Sequence, residues 1–540
     1  MLGEGQSRAT TSGETGDGAA SAPFAPGPRV RWASVWRDPV LIAIALLVFG
    51  AYFTVSLLRL LRLQPMSWDL GIYTEYVKQI SLLRAPVVDI RGAGFNLLGD
   101  HFQVVLVVLA PFFRLFPSPA TLLFFQALAT AVSVFPVAAA GTALAGRPAG
   151  RLIGLAYGLS WGLQQMIDFD FHEIALAVPL LAFSLSALVR RRPLAAIGWA
   201  VPLVFVKEDQ GFTVAAIGML LGLTALFPSL LAARGPAKPA DQGRYPAVAL
   251  WGGLFLLAWG LFWSVLAITV IIPHFNPDHD YYYWKDGGVV GGGSALSVGT
   301  LVTQTASGWS TKLPTVLMLL LPTAFAALGS PVAAIGLPSL VLRFMSTNTA
   351  YWGLDWHYNA TLMPVLFIAA ADTIGRWRGD ESLAWPPVLT GGYRAPRSLA
   401  GDASRALRAG LVRYGGALMA GIAVVLAFQF PLSDLWHGST YQLDAHVAAA
   451  NAAMAVVPDG ATVQTNLDLL APLAARTDTF WIGNAGNPVT QYIVFDGDDS
   501  GYSPAVTNVP AFIKEVYAGD GYVKVFERDG VYVYERLLAP

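Results

Sequence analysis

The stretch from Ser67 to Phe102 opens on S-W-D-L-G (Ser67 to Gly71), closes on G-D-H-F (Gly99 to Phe102), and lies between two strongly apolar segments. Asp69 therefore stands where the chain leaves an apolar segment, and Asp100 with His101 where it returns to one. A carboxylate can accept the proton of an attacking hydroxyl, and an imidazole can orient or relay it. Ionisable groups at the edge of hydrocarbon are costly and mark function by default. Ile72, Tyr73, Tyr76, Val77 and Ile80 fall at helical spacing, which predicts an interfacial helix with Asp69 at its amino-terminal end, where the dipole favours negative charge. The plainer reading of Asp69 is a helix cap. Asp100 and His101 are adjacent and do not share a helix face, so each is expected to contact something else. Base with orienting partner, metal pair and surface turn are their three readings.

Later clusters extend the inventory. In D-F-D-F-H-E (Asp168 to Glu173), the groups Asp170, His172 and Glu173 could bind a divalent cation or sugar hydroxyls, or form a solvated loop. Lys207, Glu208 and Asp209 interrupt two apolar segments without a spacer and need partners there; Lys207 suits a phosphate as a point charge, the alternative being snorkelling to the interface. Arg343 carries the same two readings, and Asp355 and His357 follow it. Tyr281 to Trp284 read as an aromatic belt more readily than as a sugar platform. A metal set could draw on Asp69, Asp170 and His172 with Mg or Mn, although the spacing fits no specific template.

The elements that position these groups are set by composition. The chain has 540 residues, 55% hydrophobic and only 13% charged, with a mean hydropathy of +0.53, so it is a polytopic membrane protein. A net charge of -1 without a basic stripe excludes nucleic acid as a partner. The absence of cysteine excludes disulfides, thiolate catalysis and Cys-ligated zinc. Arginine far outnumbers lysine, a composition resembling that of high-GC bacteria.

Residues 1–38, rich in Gly, Ser, Ala and Thr at their start, read as a disordered cytoplasmic tail without a cleaved signal peptide. Arg29, Arg31 and Arg37 precede the first span, Val40 to Leu61, and place the amino terminus in the cytoplasm of a bacterial plasma membrane. Clusters at Arg147/Arg151, Arg190–Arg192, Arg234/Lys238/Arg244 and Arg376–Arg413 close the alternation. The count is eleven spans within 39–430, one of them ending near Ile167 and another running from Pro193 to Val206, plus a re-entrant or tilted half-element, Val104 to Phe116. On this topology loops 62–118 and 273–311 are external, and all the ionisable clusters above share the outer face.

Beyond Phe430 the composition becomes that of a soluble domain, an extracytoplasmic α/β unit over 431–540. Val457–Asn466, Gln491–Asp496 and Val523–Tyr534 read as strands, the last folded on an Asp529-Gly530 hairpin turn. Leu443–Val456 and Val509–Ala518 read as helices.

Taken together, W-D-L-G, N-L-L-G-D-H-F (Asn96 to Phe102), D-F-H-E (Asp170 to Glu173), V-K-E-D (Val206 to Asp209) and W-H-Y (Trp356 to Tyr358) resemble a bacterial family of predicted polytopic membrane proteins, a domain of unknown function, over about Val40 to Phe495. That family is similar in architecture to the GT-C glycosyltransferases. The resemblance implies a GT-C-like α-helical bundle of 11–13 spans and matches Asp69 to the acidic residue of the first external loop, although many such enzymes carry two clustered acidic residues there. It implies transfer of a sugar from a polyprenyl-phosphate donor to a cell-envelope glycan or protein. On that reading Asp69 takes the acceptor's proton, Lys207 and Arg343 stabilise the leaving phosphate, and Asp100, His101 and His172 position the sugar or an optional metal, with Glu173, Glu208, Asp209 and His357 also lining the substrate. A transporter or flippase of lipid-linked substrate and an envelope scaffold are the alternatives; midplane charge and internal repeats, expected of transporters, are not evident.

Overall fold

The computed structural model describes residues 32–231, 244–285, 298–378, 399–498 and 506–537. Met1 to Arg31, Arg234, Lys238, Asp286, Arg394 and Arg397 lie outside the described residues. A short helix, Trp32–Trp36, falls within the stretch expected as tail. Helix α1 (Pro39–Leu61) follows, with Asp38 as its N-cap accepting from the Val40 N–H at 3.1 Å. Its 23 residues run about 34 Å, enough to cross a bilayer.

The chain is a multi-pass membrane protein. Among the described residues four helices are long and apolar enough to span: Pro39–Leu61, Pro119–Ala145, Tyr245–Phe275 and Ser404–Ala427. Shorter apolar helices pack among them, including Ile174–Val189 and Gln210–Leu226. Val104–Leu115, a 3-10 turn running into a short helix, has only the length of a half-element.

Two expected spans are broken, for local reasons. The one ending near Ile167 divides into Arg147–Gly158 and Trp161–Asp168 at an extended Ser160. The Gly158 carbonyl freed there accepts from the Tyr52 hydroxyl at 2.7 Å. Pro193–Val206 is α-helical only to Ala200 and continues as a 3-10 turn through Pro202, whose missing N–H ends the α ladder. Trp259 Nε1 donates to the Val201 carbonyl at 3.1 Å.

Helix α2 (Asp69–Ser81) follows α1 after a short connecting segment. Helix α3 (Gln210–Leu226) begins directly after the Lys207–Asp209 run and packs on α4 (Tyr245–Leu266) backbone to backbone. A Cβ at Gly211 would lie 2.3 Å from the Gly260 carbonyl oxygen, and one at Gly218 would lie 2.6 Å from that of Gly253. Small residues one heptad apart on both helices thus lock their register. That fixes the height of the charges at the start of α3. Helix α4 ends in a π-helical turn, Ala267–Ile271, and a last turn, Ile272–Phe275, before the loop carrying Tyr281 to Tyr283.

The carboxyl-terminal α/β unit holds a five-stranded sheet: β1 (Thr462–Thr465), β2 (Asp478–Trp481), β3 (Tyr492–Asp496), β4 (Tyr522–Arg528) and β5 (Val531–Arg536), in the order β2-β1-β3-β5-β4. The β2-β1-β3 half is parallel and the β3-β5-β4 half antiparallel. Asp529 and Gly530 take φ of 48° and 78°, the left-handed pair a two-residue hairpin turn requires. The first expected strand is shorter than its pattern, because Val457 to Ala461 form the turn leading in. β2 was not legible, since D-T-F-W is four residues long and alternates too briefly to register.

Candidate active site

Asp69 is the first residue of α2, and its Oδ2 accepts from the Ser67 hydroxyl. Among the described residues its half-buried carboxylate has no cationic partner. The helix itself is not interfacial. Leu70 to Gln79 are buried without interruption, because α2 is enclosed between the bundle and the carboxyl-terminal domain. A Cβ at Gly71 would lie 3.1 Å from Leu470 Cβ, and the core around Tyr73 and Tyr76 is shared with Leu470, Ala471 and Ala474. Three polar or aromatic contacts clamp the same seam. Lys78 Nζ donates to the Thr477 carbonyl at 2.6 Å, Asn484 Nδ2 donates to the Ile90 carbonyl at 2.8 Å, and Trp68 meets Trp481 edge to face at 5.0 Å.

A cavity of about 500 Å³ opens beside Asp69. It is lined by Asp69, Asp100, His101, His172, Lys207, Glu208, Asp209, Arg343 and His357, so residues spread over nearly three hundred positions in sequence converge on one space. Tyr73, Arg91, Tyr281, Tyr282, Tyr283, Tyr351 and Tyr358 complete its polar wall. The Tyr281–Tyr283 cluster is therefore part of the cavity and not a membrane belt.

Two ionic knots organise the wall. Glu208 holds the first. Its Oε1 lies 2.8 Å from His101 Nδ1 and accepts from the Tyr281 hydroxyl at 2.9 Å, while Oε2 accepts from the Phe102 N–H at 3.0 Å. Burial pushes the Glu208 carboxyl up, but His101, Lys207 and the Phe102 N–H outweigh it and hold the pKa at about 2. Burial opposes protonation of His101, and the Glu208 carboxylate reverses the sign, so the imidazole pKa is raised. Asp100 has separate partners, Arg91 Nη2 at 3.3 Å and the Tyr283 hydroxyl at 3.2 Å. Adjacent Asp100 and His101 thus contact different groups, and Tyr283 stacks on the His101 ring at 4.6 Å.

The second knot centres on Glu173, just behind the cavity wall. Its Oε1 lies 3.2 Å from Lys207 Nζ and its Oε2 lies 2.6 Å from His172 Nδ1, while the Tyr73 hydroxyl donates to Oε2. Burial works against ionisation of Glu173, yet His172 and Lys207 hold its carboxyl well below the usual range. The His172 ring stacks on His357 with centroids 3.5 Å apart and 20° between planes. Asp209 contacts Gln210 Nε2 at 3.2 Å, and burial raises its pKa.

Arg343 lines the cavity but is anchored from behind. Its guanidinium donates to the carbonyls of Tyr351 at 2.9 Å, Tyr358 at 3.1 Å and Gly353 at 3.4 Å and to Asn359 Oδ1 at 3.0 Å. These bonds hold the 351–359 segment in place and leave Arg343 as a fixed positive charge in the wall. Asp170 departs from its expected role, because it does not line the cavity. It sits at φ 62° and accepts from the Met66 N–H at 2.8 Å, and Asp168 pairs with Arg59. Asp69, Asp170 and His172 therefore do not form a ligand set, and among the described residues no three His, Asp or Glu side chains converge as one would.

Sequence reasoning missed Tyr73, Arg91, Tyr351 and Tyr358. Tyr73 was findable, since it stands four residues after Asp69 on the same helix face. The others reach the cavity through loops without periodicity.

Comparison with known proteins places this geometry. Residues 59–533 match the profile of DUF2079, described as a predicted membrane protein. No curated protein matches the chain. The crystal structure of ArnT from Cupriavidus metallidurans bound to undecaprenyl phosphate is similar at 15% identity and a TM-score of 0.50, covering 93% of this chain and 98% of that one. The apo structure of the same protein is similar at 16% identity and a TM-score of 0.48, with the same coverage. The likeness to the first shows the fold, a GT-C-like helical bundle bearing a small α/β domain.

Proposed function

The chain belongs to the DUF2079 family of predicted membrane proteins, and we propose that it is a membrane glycosyltransferase that takes a sugar from a polyprenyl-phosphate donor. The observation that carries the reading is the position of Asp69, a carboxylate without a cationic partner among the described residues, facing the same cavity as Lys207. A base must be free to accept a proton, and a leaving phosphate needs a cation, and both must face one substrate. The fold likeness to a protein crystallised with undecaprenyl phosphate supports a lipid phosphate as the ligand class.

In the proposed reaction the polyprenyl chain lies against the apolar helices and its phosphate enters the cavity toward Lys207. An acceptor hydroxyl loses its proton to Asp69 as its oxygen bonds to the anomeric carbon, and the carbon–oxygen bond to the phosphate breaks with its electron pair leaving on the phosphate. A single displacement inverts the anomeric centre. Lys207 offers the phosphate the N–H groups not directed at Glu173, and Arg343 adds charge from its fixed place. Asp100, His101, Glu208 and Asp209 shape the wall rather than touch the anomeric carbon. The membrane domain is taken as 39–430, with the site and the 431–540 domain on the outer face, the amino terminus in the cytoplasm, and a cell-envelope glycan or protein as acceptor.

The test is incubation of purified protein with a panel of radiolabelled polyprenyl-phosphate sugars and envelope acceptors. Turnover of at least one donor supports the reading. Tight donor binding without turnover by any acceptor contradicts it and favours a carrier.

A further inference from the structure

Two features of the second knot are left unused by the proposed reaction. His172 and His357 are each 5% exposed, both line the cavity, and their rings lie nearly parallel at 3.5 Å. Their surroundings are asymmetric. Nδ1 of both rings is buried without a hydrogen bond, but His172 Nδ1 has the Glu173 carboxylate at 2.6 Å as an ion-pair partner, whereas the side chain of His357 has neither a hydrogen bond nor an ion pair among the described residues. An unpartnered buried imidazole nitrogen is costly in a resting protein. A ligand in the cavity reaches the parts of the two rings that line it, and its charge acts on both imidazoles.

We infer that His172 and His357 form one phosphate subsite that takes up a proton when a lipid phosphomonoester occupies it. The inference rests on the lipid-phosphate reading above. Two imidazolium rings at this separation repel each other strongly without an anion between or beside them. The groups facing the pair are Tyr73 and Glu173 on the His172 side, with Lys207, Arg343 and Tyr358 on the His357 side. Burial first, and then His172 and Lys207, keep the His357 imidazole neutral when nothing is bound. An incoming dianion reverses that balance.

The charge change of the reaction gives the subsite its purpose. A donor sugar is joined to its lipid through a phosphodiester with one negative charge. Cleavage of the carbon–oxygen bond leaves a phosphomonoester, whose second ionisation lies near 6, so it carries close to two negative charges at neutral pH. Asp69 holds the acceptor's proton, and the proton taken up by the histidine pair comes from solvent. The pair therefore favours the leaving group over the donor, which is the differential needed in the transition state.

The experiment is calorimetric titration of the full-length protein in detergent with undecaprenyl phosphate, near neutral pH, in two buffers of different ionisation enthalpy. A phosphodiester of the same lipid serves as the control ligand. Wild type is expected to take up about one proton on binding the monoester and none on binding the diester. His357→Phe, which keeps the stacked ring and lacks the nitrogen, is expected to lose that uptake and to bind the monoester on the order of 10-fold more weakly, with diester affinity unchanged. Heat independent of buffer in wild type overturns the inference while leaving the lipid-phosphate reading intact, and it does so whether or not the variant folds. Uptake that survives in His357→Phe overturns it as well, because the proton then goes to the lipid. Failure of the monoester and the diester to bind at all overturns the lipid-phosphate reading itself.

Discussion

Oε1 of Glu208 lies 2.8 Å from Nδ1 of His101, with the Glu208 side chain only 1% exposed, and this pair ties the start of α3 to the far end of the first loop. Tyr281 and the Phe102 N–H complete the carboxylate's partners, so three segments distant in sequence meet at one group. The cavity wall depends on that meeting.

The pair gives stability a defined pH window. Glu208 is depressed from 4.5 to about 2, so its contribution is fully present above pH 4.5 and lost as pH falls toward 2. His101 is raised above 6.5, so its contribution is fully present below pH 6.5 and lost as pH rises through its folded value. The two coexist between 4.5 and 6.5. Breaking a buried pair by removing one partner costs about 3–5 kcal/mol. Thermal unfolding of Glu208→Gln in detergent is expected to show that loss, largest inside the window and smaller on either side. A difference from wild type that is flat across pH 3 to 8 contradicts the assignment.

Gly99 permits a contact that no other residue can. A Cβ there would lie 2.6 Å from the Phe275 carbonyl carbon and oxygen, and Asn276 Nδ2 donates to the Gly99 carbonyl at 2.8 Å. Gly99→Ala is expected to part the first loop from the end of α4, displacing Asp100 and Tyr283 and weakening donor binding about 10-fold or more. Gly50→Ala is the control, since nothing lies within 4 Å of a Cβ at that position. Equal binding by both variants rules out the close approach as a determinant of the site.

Glu75 belongs to the same α2 core and behaves oppositely to Glu208. Its Oε2 accepts from the Ile90 N–H at 3.1 Å while Oε1 is buried without a partner among the described residues, and burial raises the carboxyl from 4.5 to about 8. A raised folded value means that stability is fully present below pH 4.5 and declines as pH rises through 8. Glu75→Gln is expected to flatten the fall in thermal midpoint between pH 5 and pH 9 relative to wild type. Parallel curves for the two proteins show that Glu75 does not titrate in that range.

The carboxyl-terminal domain is expected to matter to Asp69 through Trp481. Trp481→Ala removes the ring that meets Trp68, the residue before Asp69, and such aromatic pairs contribute roughly 0.5–1.5 kcal/mol beyond area. The variant should keep most of its thermal stability and lose turnover. A variant with full turnover shows that the domain's seam does not position the loop.

The apolar helices were legible because hydropathy encodes them directly, although only four of those described are long enough to span, where the sequence reading counts eleven spans. α1 was read to within one residue, and the Asp529-Gly530 turn followed from its dipeptide. Breaks in spans were less legible. Pro202 is a visible signal, but the break at Ser160 depends on Tyr52, more than a hundred residues away, capturing a freed carbonyl. The candidate residues were found by their cost in an apolar setting, which identifies which groups need partners and not which partners they find. Arg343 and Asp170 illustrate the limit, since each looks available in sequence and each is occupied by backbone groups of a neighbouring segment. The burial of α2 had no sequence signal at all, because its outer face is covered by residues some four hundred positions later.

The most direct test of the central claim compares wild type with Asp69→Asn in a single-turnover assay, using whichever radiolabelled polyprenyl-phosphate sugar the protein binds. The substitution keeps the shape of the side chain and its contact with Ser67 while removing the base. Transfer reduced on the order of 10²-fold or more, with donor affinity and thermal midpoint unchanged, is the predicted result. Transfer at the wild-type rate by a folded Asp69→Asn protein contradicts the account, because the carboxylate on which it rests then takes no proton.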